Sequence, residues 1–170
     1  MEQLFDTDAL DTLTVSELST RIGAVIRKGF GGPLWVEGEI HSLSRPASGH
    51  VYFDLVEPSA TGRRQAASVP VVLWESDKHG VNQTLKQSGA GLRMTDGLAV
   101  RIRGTVSFYN AQSRVQLQMT AIDPAYTLGR MAAERDRLLQ ALAAEGLLDA
   151  NARRPLPAVP LRVGLVTSDG

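Results

Sequence analysis

The side chains in this sequence best suited to chemistry are rings and cations set among strand-like runs. Trp35, Tyr52, Trp74, Arg101, Arg103 and Tyr109 alternate with aliphatic residues, and Arg45, His50, Arg63, Arg64 and Arg114 fall in the loops between. If the aliphatic alternates fill a core, the rings and guanidinium groups share an exterior wall. Such a wall suits a single-stranded polynucleotide. A base stacked on a ring gains about 1 to 3 kcal/mol, while Lys and Arg neutralise phosphates. The same residue types also have ordinary surface roles. Arg101 and Arg103 can pair with Glu37 and Glu39 on a neighbouring strand, and Trp35 or Trp74 can pack beneath a terminal helix.

Bond-breaking chemistry finds less support. Metal-dependent phosphodiester cleavage needs clustered carboxylates, but the acids are scattered, with Asp54 and Glu57 the closest strand pair. His41, His50 and His79 form no motif with a nearby acid and read as surface histidines. Gly29-Phe30-Gly31-Gly32 follows a helical pattern rather than a strand and lacks the lysine of a phosphate loop. There is no cysteine, which removes disulfides, thiolate metal sites and cysteine nucleophiles. The expectation is therefore no catalytic residue, no metal and no cofactor in this chain.

The elements that must position the wall come next. At 170 residues, 43% apolar and 21% charged, the chain has the make-up of a folded domain and no apolar run long enough to span a bilayer. Eighteen bases balance eighteen acids, so a cationic surface must come from arrangement rather than excess. No Lys or Arg precedes Arg21, while Glu2, Asp6, Asp8 and Asp11 do, which is unlike a secretory signal and points to the cytoplasm. Residues 1–13 read as a disordered acidic tail. Thr14 and Glu17 have capping-box spacing, and Val15, Leu18, Ile22, Val25 and Ile26 recur as on an amphipathic helix from about 15 to 28, which ends in the glycines before Pro33.

Period-two alternation then begins. Strands are expected at Leu34 to His41, Val51 to Leu55, Val69 to Glu75, Leu98 to Tyr109 and Val115 to Thr120, the first two forming a hairpin and a short polar helix or loop preceding the fourth. Gly104, on the inward side of the long fourth strand, marks a place where that strand bends. A helix from about 127 to 145 ends at Gly146, with Leu142 and Leu147 placed for a Schellman cap. Five antiparallel strands with a helical insertion after the third match a mainly β architecture with flanking helices, the five-stranded Greek-key barrel of the OB-fold. The domain organisation expected is a helix and turn over 14–33, the barrel over 34–125, a connecting helix over 126–150, and over 151–170 a linker and the first strand of a truncated α/β domain. Val163 to Val166 has the look of a buried parallel strand, and the turn after it is where α/β domains place ligand groups.

Leu13-Thr14-Val15-Ser16-Glu17-Leu18, Leu34-Trp35-Val36-Glu37-Gly38-Glu39-Ile40, Ser48-Gly49-His50-Val51-Tyr52-Phe53-Asp54-Leu55, Glu145-Gly146-Leu147-Leu148-Asp149, Arg154-Pro155-Leu156-Pro157 and Val163-Gly164-Leu165-Val166-Thr167-Ser168 follow one another in an order that resembles the exodeoxyribonuclease VII large subunit family. The resemblance implies an OB-fold that presents single-stranded DNA to a separate catalytic domain, and later helices that recruit several small subunits. It also implies hydrolysis of single-stranded DNA to short oligonucleotides without a divalent metal, by motifs downstream of this chain. Two segments depart from the family pattern: Glu75 follows Trp74 where a basic residue is usual, and Ala111-Gln112-Ser113 stand where Pro-Arg-Gly is usual. Arg114 is the expected compensation. Two other readings stay open, a positioning module that docks on the catalytic domain with little DNA affinity, and an RNA- or tRNA-binding barrel.

Overall fold

A computed structural model of the chain describes residues 12–57, 67–89, 91–150, 152–155, 164, 166 and 167. Two compact units divide it, residues 1–130 and 131–170. The first contains α1 (Val15–Gly29), β1 (Leu34–Ser44), β2 (Val51–Glu57), β3 (Ala67–Leu73), α2 (Glu75–Gln87), β4 (Ala99–Tyr109), a 3-10 turn (Asn110–Gln112), β5 (Arg114–Ile122) and the start of α3 (Pro124–Ala144). None of the described helices is long and apolar enough to cross a membrane.

The five strands close into a barrel in the order β1-β2-β3-β5-β4. Antiparallel pairing runs throughout except at the closure, where β3 meets β5 in parallel through Val71 opposite Leu117 and Val72 opposite Gln118. This is the five-stranded OB-fold that the alternation predicts. The aliphatic alternates fill the lumen: Ile40, Val51, Phe53, Leu55, Val100, Ile102, Leu117 and Met119 are all buried.

Gly104 is where β4 turns. The register with β5 shifts between Arg103 and Gly104, and a Cβ built at Gly104 would lie 2.6 Å from the Gln118 carbonyl oxygen. No side chain fits there, so the close approach that bends the strand requires glycine. A second irregularity, in β1 between His41 and Ser44, holds Ser42 at φ 56° and turns the end of β1 toward β2.

Both helix-end motifs form. Thr14 accepts from the Glu17 N–H at 3.2 Å while the Glu17 carboxylate accepts from the Thr14 N–H at 2.8 Å. At the other end of the chain the Leu147 N–H reaches the Leu142 carbonyl at 2.9 Å across Gly146, which sits at φ 69°.

The face of α1 that packs is not its apolar stripe. Ser19 and Gly23 are its buried residues, and Ser19 Oγ donates to the Asn110 carbonyl at 3.2 Å, whereas Val15 and Val25 are 81% and 71% exposed. Small residues win this contact because the helix lies close on the end of β4, where a Cβ at Gly23 would already touch Phe108 and Asn110 at 3.4 Å. The third strand also differs from expectation. It ends at Leu73, and Trp74 is the N-cap of α2, whose first turn carries Glu75 and Asp77 at the end of the helix that favours negative charge. Arg63, Arg64, most of the acidic tail and nearly all of the strand expected from Leu161 lie outside the described residues.

Candidate nucleic-acid interface

A groove of about 450 Å³ runs over β2 and β3 to the β4–β5 turn. Four strand ends converge on it. Tyr52 comes from β2, Trp74 follows β3, Tyr109 ends β4 and Arg114 begins β5, and all four line the groove. Tyr52 and Tyr109 are 40% and 48% exposed, so their rings are accessible. The parallel closure of β3 on β5 is what brings residues 62 positions apart in sequence, Tyr52 and Arg114, to one surface.

His50 supports this groove from the β1–β2 loop. Its ring meets Trp74 edge to face at 4.9 Å and Tyr52 at 6.4 Å. Its Nδ1 accepts the Glu75 N–H at 3.2 Å, which satisfies an otherwise orphaned donor at the start of α2. Trp74 provides no side-chain cap of its own, so His50 does this from across the barrel end. Gly49 at φ 82° lets the loop approach: a Cβ there would lie 2.9 Å from the Glu75 carboxyl carbon.

Polar groups that are neither rings nor cations also line the groove, among them Ser42, Asp54, Gln112 and Gln116. Gln116 is an outward alternate of β5, so its position is readable from the pattern. Gln112 and Ser42 depend on the 3-10 turn and the β1 bulge, which have no such signature. Amide side chains can hydrogen-bond base edges or phosphates, and Asp54 can accept from a base amino group while repelling phosphate.

The other described cations of the expected wall do not join the groove. Arg45 donates to the Met94 carbonyl at 2.7 Å and lines a different cavity. Arg101 pairs with Asp123, Nε to Oδ2 at 3.0 Å, and its guanidinium lies over the rings of Trp35 and Tyr126 at 5.7 and 5.5 Å. Arg103, exposed, stands opposite Trp35 across β1 and β4. The single exterior strip expected from alternation is thus divided: Trp35 of β1 and Arg101 and Arg103 of β4 lie outside the groove, whereas Tyr109, past the irregularity of β4 at Gly104, lines it with Tyr52 and Trp74. Arg101 finds its carboxylate at the end of β5 rather than at Glu37, its cross-strand partner.

Electrostatics follow the same division. Asp123 is held below the usual carboxylate range chiefly by its hydrogen bond from Arg101. The Tyr126 phenol is pushed up, first by burial and then by the nearby Glu37 charge. Among the described residues no cluster of three or more His, Asp or Glu could hold a metal ion.

Residues 13–123 match the family described as OB-fold nucleic acid binding domain. Curated relatives named exodeoxyribonuclease 7 large subunit include those of Pseudomonas fluorescens strain Pf0-1 and Azotobacter vinelandii, each 39% identical over 93% of this chain. The chain spans 30% and 31% of the length of those relatives. Among solved structures, a replication protein A heterotrimer bound to single-stranded DNA aligns with 64% of this chain and 73% of its own at TM-score 0.36 and 18% identity. The mitochondrial single-stranded DNA binding protein Rim1 of S. cerevisiae aligns with 54% of this chain and 91% of its own at TM-score 0.35 and 11% identity. With its family match over the whole barrel and relatives of one name along nearly its full length, the chain belongs to the OB-fold nucleic acid binding domain family and is a homologue of the exodeoxyribonuclease VII large subunit.

Proposed function

We propose that this chain binds single-stranded DNA in the β2–β3 groove and, as part of an exodeoxyribonuclease VII large subunit in the cytoplasm, hands it to a catalytic domain served by small subunits. The observation that carries the reading is the convergence of Tyr52, Trp74 and Tyr109 on Arg114. Three rings along one groove accept bases of any sequence, and a guanidinium among them holds the phosphate between stacked bases. A duplex offers no free base faces to the rings. The β1–β2 and β4–β5 connections flank it, as they do in oligonucleotide-binding barrels.

The test uses the two tryptophans. Trp35→Phe leaves Trp74 as the reporter, and dT oligomers should quench its fluorescence in a manner that weakens steeply with salt. A hairpin duplex of the same charge should not. Equal quenching by duplex, or none by the oligomer, sinks the proposal.

A second reading, that the module chiefly positions or assembles, is favoured by the exposed stripe of Val15, Leu18, Ile22 and Val25 on α1. It predicts that polar substitution of Leu18 and Val25 impairs the full-length enzyme while leaving oligomer binding by this chain unchanged.

A further inference from the structure

A second cavity, of about 700 Å³, opens beside the first on the other side of the β1–β2 loop. Its floor is apolar, formed by Val51, Leu73, Leu85, Leu92 and Met94 at the end of the barrel. Its rim is cationic: Arg45, Lys78, Lys86 and Arg93 line it, and no acidic side chain stands among the described residues that do. In a chain with equal numbers of acids and bases, four bases around one opening are a local excess. Asp96, the nearest acid on the same loop, is turned to the Leu43 N–H at 2.8 Å.

The two cavities share a wall. Adjacent residues divide between them, Tyr52 to the groove and Val51 to the second cavity, then Trp74 to the groove and Leu73 to the second cavity. The loop between is fixed to both, since His50 contacts the Trp74 ring and the Gly49 carbonyl accepts from Lys78 Nζ at 3.1 Å. A strand leaving the ring-lined groove past His50 therefore meets the cationic rim next.

We infer that the Arg45, Lys78, Lys86 and Arg93 cavity is a second subsite for the phosphodiester backbone of the same single strand, so that the bound path continues over the β1–β2 loop onto the open end of the barrel. This rests on the groove reading and extends it. An apolar floor below a cationic rim suits a nucleotide better than a simple anion, because a base can lie against Leu85 and Leu92 while its phosphate meets the rim.

The experiment is binding of a dT series, from roughly 4 to 16 nucleotides, to the full chain carrying Lys86→Gln and Arg93→Gln. Both positions are exposed, and thermal melting checks that the fold is kept. The unaltered chain should gain affinity as the oligomer grows past the groove. The double variant should lose that gain, and its salt slope on the long oligomers should fall by about 1.4, at roughly 0.7 for each phosphate no longer neutralised. The affinity drop between about 50 and 200 mM salt then becomes about sevenfold smaller. Lys86→Arg with Arg93→Lys should restore both. Tyr52→Ala should weaken every length alike.

If the double variant follows the unaltered chain at all lengths while Tyr52→Ala still weakens binding, the extension is overturned and the groove stands. A gain that appears instead when a short oligomer is given a 5′-phosphate assigns the cavity to a terminal phosphate and also overturns the path. No binding at any length removes both readings.

Discussion

His50 and Trp74 meet edge to face with ring centroids 4.9 Å apart, and the same imidazole accepts the N–H of Glu75 through Nδ1 at 3.2 Å. One side chain thus holds a groove ring and caps the helix that begins after it. The ring contact contributes about 0.5 to 1.5 kcal/mol and the cap about 1 kcal/mol. His50→Ala should lower unfolding stability in urea by about 2 kcal/mol and change the near-ultraviolet circular dichroism of Trp74 in a Trp35→Phe background. His50→Asn keeps an acceptor but no ring, so it should recover part of the stability and none of the dichroism. An unchanged Trp74 signal in His50→Ala would show that the ring is held by something else.

Asp123 performs two tasks with two oxygens. Oδ1 accepts from the Ala125 and Tyr126 N–H groups at 3.0 and 3.3 Å, capping α3 ahead of Pro124, and Oδ2 takes Arg101. Its acidity is raised in the folded state, chiefly by Arg101. A carboxylate whose folded value lies below its unfolded value of about 3.9 adds stability above that value and loses it as the pH falls through the folded one. Asp123→Asn retains a capping oxygen and removes the charge, so it should cost about 0.5 to 1 kcal/mol near neutral pH. The difference from the unaltered chain should close as the pH is lowered below about 4. Urea midpoints at the two pH values measure it, and a gap that persists in acid would assign the effect to the cap instead.

Gly104 sets the barrel's curvature by what it lacks. A methyl group there would lie 2.6 Å from the Gln118 carbonyl oxygen and 3.0 Å from Leu117 Cγ, and the first neighbour is backbone that cannot turn aside. Gly104→Ala should destabilise the chain by about 2 to 3 kcal/mol. By contrast, Gly23→Ala meets Phe108 and Asn110 only at contact distance, and should be neutral or stabilising because alanine favours a helix interior. Parallel urea titrations separate the two, and equal effects would refute the assignment of Gly104 to the bend.

Much of this fold is legible in local pattern, and the reasons it is not legible elsewhere are specific. Alternation locates β1, β2, β4 and β5, and the spacing of Thr14 and Glu17 or of Leu142 and Leu147 around Gly146 locates helix ends, because each signal lies within a few residues. The stripe on α1 shows that a helix forms there but not which face the barrel receives. That is settled by the closeness of Phe108 and Asn110, which favours small residues such as Ser19 and Gly23 over the large apolar ones of the stripe. Outward direction is legible for Tyr52, Arg101 and Arg103 alike. Which of them share a surface is not, since it depends on closure of β3 onto β5 and on Asp123, 22 residues from Arg101.

The division of the cations yields the last prediction. Arg114 lines the ring-bearing groove, whereas Arg101 lies over Trp35 and Tyr126 with its charge met by Asp123. A phosphate approaching Arg101 must displace a carboxylate already hydrogen-bonded to it, so the gain from that approach is largely cancelled. A phosphate approaching Arg114 enters a groove that Tyr52, Trp74 and Tyr109 also line, where its bases can stack. Arg114→Ala should therefore weaken dT binding and lower the salt slope by about 0.7, the share of a single phosphate. Arg101→Ala should leave affinity within about twofold, since its charge is already met by Asp123, and should act instead on stability, by at most about 1 kcal/mol. Arg103→Ala, on the same β1–β4 wall, should resemble Arg101→Ala in binding without its loss of stability. Should Arg101→Ala reduce the slope while Arg114→Ala leaves it unchanged, the strand runs along the β1–β4 wall past Trp35, and the groove between Tyr52 and Tyr109 is not its track.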